Sequence, residues 1–255
     1  MAKVQQPLVS IVVPVYNAAR FIEETIATVQ NQTYQNWELL LIDDCSTDDS
    51  VKLIKPHLTK DKRIKLLKNK ANSGAALTRN KGIDAAKGHY LAFLDADDLW
   101  LPEKLEKQVA FMQEIDCAFS FTGYEFANET GKPNGKKVHV PATITYKQAL
   151  KNTTIFTSTV MLNLKKLDKH KVLMPNIRRG QDTATWWRIL RQVPYTYGLG
   201  DALSIYRRSK GTASSNKITA LKRTWRIYRD SEKLPYIKAS YYFTHYCFNA
   251  SMRRL

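Results

Sequence analysis

Three aspartates lie within four positions at the end of an apolar segment. They are Asp95, Asp97 and Asp98, and the apolar segment begins after Gly88. An apolar run of this length predicts a buried strand, so the acids lie where the chain leaves the core. Neighbouring carboxylates raise one another's pKa unless a cation neutralises them. Oxygen ligands on a short turn suit Mg²⁺ or Mn²⁺ held together with substrate phosphates, so the segment predicts a metal-diphosphate site.

The same acids allow a simpler interpretation. A helix is predicted to begin near Pro102, and acidic residues often cap the first turn of a helix. In that case Asp97 and Asp98 would serve only the helix. The cluster alone leaves both interpretations open.

A second pair of acids, Asp43 and Asp44, also ends a predicted strand. A carboxylate there can accept a hydrogen bond from a nucleobase imide or a ribose hydroxyl. Ser46 or Thr47 would cap the following helix, and capping alone is the alternative role of this segment.

The first predicted strand ends in Pro14, Tyr16 and Asn17, which places a ring and an amide at the same edge. A tyrosine ring can stack on a base, although a single one at a strand end more often packs in the core. The acids at the neighbouring strand ends favour the first role, in which Tyr16 stacks on a base.

Strands and helices alternate through the first hundred residues. The strands are predicted at residues 8–15, 37–42, 64–67 and up to 95, and the helices at about 19–31, 48–58 and 74–86. Single helices between strands imply an α/β fold with a parallel sheet and right-handed crossovers. Ligands of such sheets bind beyond the carboxyl ends of the strands, which is where the acids fall.

The second half of the chain is less regular. It predicts a helix at 102–114, a strand at 117–124, a surface hairpin or excursion at 128–141, a strand at 158–164 and a helix at 182–190. We expect a catalytic domain over 1–217, with a nucleotide-binding half up to about 100 and an acceptor-binding half over 101–217. A basic, aromatic helical tail would follow over 218–255.

The charge of the chain is unbalanced. Forty Lys and Arg against twenty-three Asp and Glu give a net charge of +17. An anionic partner is therefore predicted, the alternative being a basic, solvated surface. Nucleic acid is not the expected partner, because acids at the strand ends would repel a phosphate backbone.

Three scattered cysteines, Cys45, Cys117 and Cys247, lack the spacing of a metal site, and their odd number argues against a disulfide framework. The chain shows neither a signal peptide nor a run of about 20 apolar residues. The expected location is cytoplasmic.

Four motifs taken together resemble those of family 2 glycosyltransferases. Their order and spacing match over about the first two hundred residues, at 12–17 (VVPVYN), 43–48 (DDCSTD), 79–83 (RNKGI) and 94–98 (LDADD). The resemblance implies a glycosyltransferase-A fold, with a Rossmann-like, mostly parallel sheet flanked by helices. It also implies a nucleotide-sugar donor and transfer with inversion.

The resemblance further implies roles for residues at the strand ends. Asp44 would contact the base, and Arg79 would lie near the donor. Pro14 and Tyr16, with Asn17 beside them, would line the nucleotide pocket. The segment from Asp95 to Asp98 would bind ribose and a divalent metal, Mn²⁺ or Mg²⁺, for which both Asp97 and Asp98 are candidate ligands.

Inverting transfer also needs a general base for the acceptor hydroxyl. The segment 179–187 resembles the family's acidic pair before an aromatic-rich helix, and Asp182 falls on the base. Gln181 stands where the family usually has Glu, which removes a neighbouring charge. The alternative is that Asp182 only caps the helix.

A basic loop follows the last predicted strand, at 206–217. Many relatives have a histidine at the position of Ser209 that contacts the diphosphate or the metal. Here that contact would pass to Arg208 or Lys210, whose charges suit phosphate. The alternative is a solvated loop.

The loop and tail are similar to those of relatives that build teichuronic-acid-type, capsular or lipid-linked polysaccharides of bacteria. We therefore expect transfer from a UDP-sugar to a hydroxyl of a saccharide or lipid-linked acceptor. The alternative is a catalytically silent nucleotide-binding or scaffolding module, which the departures at Gln181 and Ser209 suggest. Basic residues alternate with aromatics in the tail, which would suit peripheral contact with an anionic membrane, packing on the domain itself or a homodimer.

Overall fold

A computed structural model describes residues 6–151, 155–208 and 217–252 of the chain. The alternation predicted for the first hundred residues is confirmed. Its elements are β1 Val9–Val15, α1 Ile22–Gln30, β2 Trp37–Asp43, α2 Ser50–Lys60, β3 Ile64–Lys68, α3 Gly74–Ala85 and β4 Tyr90–Phe93. Two predicted positions, Ser209 and Lys210, lie outside the described residues.

The described part of the second half adds six strands of very different length and the C-terminal helices. Its elements are β5 Leu99–Trp100, α4 Lys104–Glu114, β6 Phe119–Ala127, β7 Pro133–Val138, β8 Thr143–Ile144, α5 Tyr146–Lys151, β9 Met161–Asn163, α6 Lys169–Val172, α7 Gln181–Leu190, β10 Thr196–Arg207, α8 Lys217–Arg226 and α9 Tyr236–Met252. A 3-10 turn, Thr157–Thr159, precedes β9, and a π-helical segment, Ile227–Ser231, follows α8. The predicted strand at 158–164 therefore starts later, because its first residues form that turn.

One sheet runs through the structure in the order β3-β2-β1-β4-β9-β6-β10-β5. Strands β1 to β4 are parallel, as predicted. Beyond β4 the sheet is mixed, because β9 runs antiparallel between β4 and β6, and β10 is parallel to β6. The excursion at 128–141 contains β7, which pairs antiparallel with β6 and completes a hairpin.

Helices cover both faces of the sheet, and the alternation of side chains along each strand fills two core layers. On β1, Ile11 and Val13 face the layer of α1, α2 and α4, whereas Val12 faces the layer of α3 and α7. Helix α3 lies unusually close to the sheet, because a Cβ on Gly82 would come within 2.6 Å of Val12 Cγ1 and 2.7 Å of Ile42 Cδ1. This close approach sets the height of α3 above β1 and β2.

The C-terminal helices pack on the same core. Tyr228 is fully buried and stacks on Trp187, with ring centroids 5.2 Å apart and planes within 5°. Its hydroxyl donates to the backbone carbonyl of Leu150 at the end of α5. Ala239 and Tyr246 of α9 are buried as well. In the described part of the chain, no helix combines the length and the apolar character needed to span a membrane.

Candidate active site

The carboxyl ends of β1, β2 and β4 open onto one cleft of about 400 Å³, which we call the donor cleft. Parallel pairing places Val15 opposite Asp43, so β1 and β2 leave the sheet side by side. Seven of the residues singled out from the sequence line the cleft: Pro14, Tyr16, Asn17, Asp44, Arg79, Asp95 and Asp97. The structure therefore brings together residues that lie up to 83 positions apart in the sequence.

Asp44 organises one wall of the donor cleft. Its Oδ1 accepts hydrogen bonds from Asn69 Nδ2 at 2.7 Å and from the Ser73 amide at 2.8 Å, and its Oδ2 accepts one from the Gly74 amide at 2.8 Å. Burial opposes ionisation, but these hydrogen bonds outweigh it and lower the pKa of the carboxyl below its ordinary value. Asp44 is therefore an ionised anchor for the start of α3.

The loop after β1 is tied to the loop after β2. Asn17 adopts the left-handed conformation, with φ of 49°, which asparagine tolerates better than most residues. Its side-chain Oδ1 accepts a hydrogen bond from the backbone amide of Thr47 at 2.8 Å, and its backbone amide donates one to Ser46 Oγ at 3.1 Å. The prediction that Ser46 or Thr47 caps α2 is therefore wrong, because both bind Asn17 instead. Beside this junction, Tyr16 is 54% exposed and can receive a planar ligand.

Arg79 and Asp95 form an ion pair across the floor of the donor cleft. The arginine is buried, and only its Nη2 is used in that pair. Within the described residues, Arg79 Nε and Nη1 have no hydrogen-bond partner. A buried guanidinium with unused donors is a strong site for an anionic or hydroxylated ligand, because leaving those donors unpaired is costly.

Asp97 and Asp98 are separated by the structure. Asp97 lines the donor cleft, where burial and then the charge of Asp95 raise its pKa to about 6. The Asp98 carboxylate is buried away from the cleft and accepts from Ser158 Oγ at 2.6 Å and from the Arg207 amide at 3.2 Å. Burial, followed by the charges of Asp97 and Asp95, raises the pKa of Asp98 well above its ordinary value.

The capping interpretation of these acids is wrong. Helix α4 begins at Lys104 with Glu103 as its N-cap, and strand β5 lies between the acids and that helix. The turn is held in place instead by Asp98, beneath the strand ends.

Arg207 was not singled out from the sequence, although it fixes the acidic turn. Its Nε donates to the Asp97 carbonyl at 2.9 Å, its Nη1 to the Glu129 carbonyl at 3.2 Å, and its Nη2 to Glu24 Oε2 at 2.6 Å. One signal was available, because position 207 shares a face of β10 with Leu203 and Ile205, which marks it as inward-facing.

Arg208, which was singled out, is exposed and does not line the donor cleft. Its guanidinium carbon lies 3.9 Å from the centroid of the Phe126 ring, a cation-π contact on the far side of the strand. The other residue predicted for that phosphate contact, Lys210, lies outside the described residues.

Asp182 is the second residue of α7, directly after Gln181. Its Oδ2 accepts from Thr157 Oγ1 at 3.0 Å, and its Oδ1 accepts from the Thr183 amide at 2.7 Å. The N-cap of α7 is Gly180, with φ of 80°, so Asp182 is not the capping residue. Gln181 Oε1 is buried without a hydrogen-bond partner among the described residues.

The 3-10 turn connects Asp182 with the acids of β4. Thr157 donates to Asp182, and the next residue, Ser158, donates to Asp98 and accepts from the Asp95 amide at 3.1 Å. Two consecutive residues thus hold both the acidic turn and the start of α7. Asp182 therefore lies beside the donor cleft, although it is not part of its lining.

The described residues do not by themselves provide a complete set of metal ligands. In residues 6–151, 155–208 and 217–252, no group of three His, Cys, Asp or Glu side chains converges on one point. A divalent ion at Asp97 would need further ligands from a substrate, which is the usual arrangement for Mg²⁺ bound with phosphates.

Comparison with known proteins identifies the family of this site. Residues 10–172, well over half of the chain, match the profile described as Glycosyl transferase family 2. The chain belongs to that family. It is 44% identical over 250 residues to TuaG of Bacillus subtilis (strain 168), described provisionally as a teichuronic acid biosynthesis glycosyltransferase, and the match covers 98% of each chain.

Two further comparisons concern substrate and fold. The chain is 38% identical over 240 residues to the Escherichia coli protein WfgD, named as a UDP-Glc:alpha-D-GlcNAc-diphosphoundecaprenol beta-1,3-glucosyltransferase, with 94% of this chain and 92% of WfgD covered. A mannosyltransferase of Pyrobaculum calidifontis, solved with GDP-Man and Mn²⁺, superposes with a TM-score of 0.72 at 15% sequence identity. The superposition covers 94% of this chain and 70% of the mannosyltransferase. The chain has the glycosyltransferase-A fold, as the sequence predicts.

The contacts of Arg207 lead to a first prediction. Arg207→Lys keeps the charge but cannot reach the Asp97 carbonyl, the Glu129 carbonyl and Glu24 together. We expect the free energy of unfolding to fall by about 1.5 to 3 kcal/mol, measured by urea denaturation. The neighbouring Arg208→Lys serves as the control and should change it by no more than about 0.5 kcal/mol. Equal losses in the two variants would contradict the role given to Arg207.

Proposed function

We propose that this family 2 glycosyltransferase transfers a sugar from a UDP-sugar to a hydroxyl of a saccharide or lipid-linked acceptor, with inversion, in bacterial surface polysaccharide synthesis. The observation that carries the proposal is the junction of the donor cleft with Asp182 through Thr157 and Ser158. A donor held at the strand ends and a carboxylate held beside it are the two parts that a single displacement needs.

The donor cleft supports a nucleoside diphosphate. The exposed ring of Tyr16 can stack on the base, and Asp44 holds the loop that borders it. The unused donors of Arg79 suit ribose or phosphate oxygens. UDP is favoured because WfgD, which is similar over nearly its whole length, carries UDP-Glc in its name.

The residues of the donor cleft fit a divalent cation, Mn²⁺ or Mg²⁺. Asp97 offers a hard oxygen ligand, and burial followed by the charge of Asp95 raises its pKa, an environment in which a bound cation would favour the ionised carboxylate. Asp98 is the weaker candidate, because Ser158 and the Arg207 amide already bind its carboxylate. When bound, such an ion supplies positive charge that stabilises the leaving diphosphate. Asp95 keeps its pairing with Arg79 and fixes the turn.

Asp182 is the proposed general base. Hydrogen bonds from the Thr157 hydroxyl and the Thr183 amide orient its carboxylate at the start of α7. Gln181 contributes no charge beside it, so Asp182 has to be oriented by these hydrogen bonds alone. A carboxylate held in this way can accept the proton of the acceptor hydroxyl as the new bond forms.

A second prediction concerns this base. Asp182→Asn should lower kcat for sugar transfer by at least about 100-fold, because the amide cannot accept the proton. Binding of UDP by calorimetry should stay within about twofold of the wild type, since Asp182 does not line the donor cleft. The matched control is Asp84→Asn, an exposed position of α3.

Two results of that experiment would count against the proposal. Normal turnover by Asp182→Asn would remove Asp182 as the base. UDP binding without any transfer or donor hydrolysis by the wild type would favour the catalytically silent module instead.

A third prediction concerns Asp97. Asp97→Asn should abolish the additional stabilisation that Mn²⁺ gives to the UDP complex, measured as the shift in Tm with and without the ion. Because the pKa of Asp97 is about 6, protons occupy the carboxylate below that pH and compete with the cation. The effect of Mn²⁺ should therefore weaken as the pH falls from 7.5 to 5.5 in the wild type. An undiminished effect of Mn²⁺ in the variant would exclude Asp97 as a ligand.

The tail is proposed to contact an anionic membrane. Most of its aromatics pack on the protein, but Ile237, Tyr241 and Phe248 are 86%, 51% and 64% exposed. Their spacing places them on one face of α9. Exposed Lys233 and Lys238 lie in the same region, and basic residues next to an apolar face complement an anionic lipid surface.

A fourth prediction tests this surface. Ile237→Ser/Phe248→Ser should reduce flotation with phosphatidylglycerol vesicles at least about fivefold, because each serine removes apolar area from the bilayer contact. Leu77→Ser/Tyr195→Ser is the control, because both side chains are exposed apolar groups on other elements. Unchanged flotation of the α9 variant would remove this face from the membrane contact. A dimer in light scattering that only the α9 variant dissociates would favour a homodimer contact instead.

A further inference from the structure

A second cleft lies between the loop before α7 and the helix α8 with its π-helical extension. Its volume is about 540 Å³, larger than that of the donor cleft, and the two share no lining residue among the described ones. We call it the basic cleft because its charged lining residues are Arg178, Arg179, Lys222, Arg223, Arg226 and a single acid, Asp230.

The cations of the basic cleft have no ionic partner among the residues that the structure describes. In the described part of the chain, none of the five makes an ion pair or donates a side-chain hydrogen bond. Lys222 and Arg226 are four positions apart on α8, where like charges destabilise a helix by roughly 0.2 to 0.5 kcal/mol. Such a concentration of positive charge is expected where an anion binds.

The helix dipole does not account for this cluster. Cations are favoured at the last turn of a helix, and Arg223 and Arg226 lie in the last turn of α8. However, the π-helical segment Ile227–Ser231 continues the helix directly, so the end of α8 is not a free terminus. Arg178 and Arg179 lie on another element and need a separate reason.

The basic cleft adjoins the proposed general base. Arg179 forms part of its wall and is followed by Gly180, Gln181 and Asp182. A Cβ on Gly180 would lie 2.5 Å from Ile227 Cδ1 and 3.3 Å from Arg223, so the backbone at 180 touches the opposite wall. Two residues span at most about 7 Å, which keeps the Cα of Asp182 close to the cleft.

The contacts that link the donor cleft, Asp182 and the basic cleft indicate where an acceptor would lie. Thr157 and Ser158 connect Asp182 to the acids of the donor cleft on one side, and Gly180 connects it to the basic cleft on the other. An acceptor whose phosphates bind in the basic cleft would therefore lie close to Asp182. Guanidinium groups recognise phosphate through paired hydrogen bonds, and several of them together suit a diphosphate.

We propose that the basic cleft binds the diphosphate that joins the acceptor sugar to a polyprenyl lipid. This inference rests on the proposed function, since it names the acceptor class of that same reaction. The name of WfgD, whose acceptor is a sugar diphosphoundecaprenol, is consistent with it. The donor diphosphate is a poorer occupant, because its cleft lies at the strand ends and has its own lining.

The test is calorimetric titration with geranyl diphosphate in the presence of saturating UDP and Mn²⁺, so that the donor cleft is filled. Lys222→Gln/Arg226→Gln, both at exposed positions, should raise the Kd for geranyl diphosphate at least about tenfold, as expected for the loss of charge-assisted contacts. Arg178→Gln on the opposite wall should raise it as well, which excludes an effect confined to α8. Lys55→Gln/Lys60→Gln on α2 is the charge-matched control and should leave the Kd unchanged.

Four outcomes would overturn the inference. The first is an unchanged Kd for geranyl diphosphate in both cleft variants, and the second is an equal rise of that Kd in the α2 control. The third is equal affinity of the wild type for inorganic pyrophosphate and geranyl diphosphate. The fourth is that the cleft variants lose binding only to phosphatidylglycerol vesicles. The third would indicate a site for a free anion, and the fourth a membrane surface. Failure of the wild type to bind UDP would sink the proposed function instead, and the comparison of variants would still report on the basic cleft.

Discussion

Three carboxylates at the end of β4 have to be accommodated where the chain leaves a buried strand. Burying a charge without a partner costs several kcal/mol, so each of the three must be matched by donors or face a ligand. Asp95 pairs with Arg79 of α3, and Asp98 binds Ser158 and the backbone of Arg207. Asp97 is left facing the donor cleft. This requirement fixes α3, the 3-10 turn and the end of β10 around the strand.

The partners of the acids come from segments far apart in the chain, and this limits what the sequence can predict. That acids end β2 and β4 follows from local pattern, because apolar runs and parallel strand ends are visible in sequence. Which acid is buried does not follow, because Ser158 and Arg207 lie 60 and 109 positions from Asp98. The parallel half of the sheet was predictable for the same reason, whereas the antiparallel insertion of β9 depends on tertiary pairing.

Two incorrect or displaced assignments have a common physical origin. Ser46 and Thr47 were expected to cap α2, but both are hydrogen-bonded to Asn17, which lies thirty positions before Thr47. Short polar side chains bind whichever backbone group is nearest, and propensity alone does not choose between a helix end and a neighbouring loop. Arg208 was expected to contact the donor phosphates, but it is exposed, and the neighbouring Arg207 is buried instead. Side chains alternate along β10, and this alternation decides which of two adjacent arginines faces inward.

The chain, whose net charge is +17, separates its opposite charges into two clefts, and this separation would let it bind the two anionic substrates proposed above. If arginines lined both clefts, one diphosphate could occupy either, and donor and acceptor would compete. Here the donor cleft carries carboxylates, whereas the basic cleft carries guanidinium groups that make no ion pair within the described residues. Gly180 keeps the backbone before Asp182 close to the wall of the basic cleft, because a Cβ at this position would lie 2.5 Å from Ile227 Cδ1. A donor bound through an ion and an acceptor bound through arginines would then meet only at the carboxylate between them.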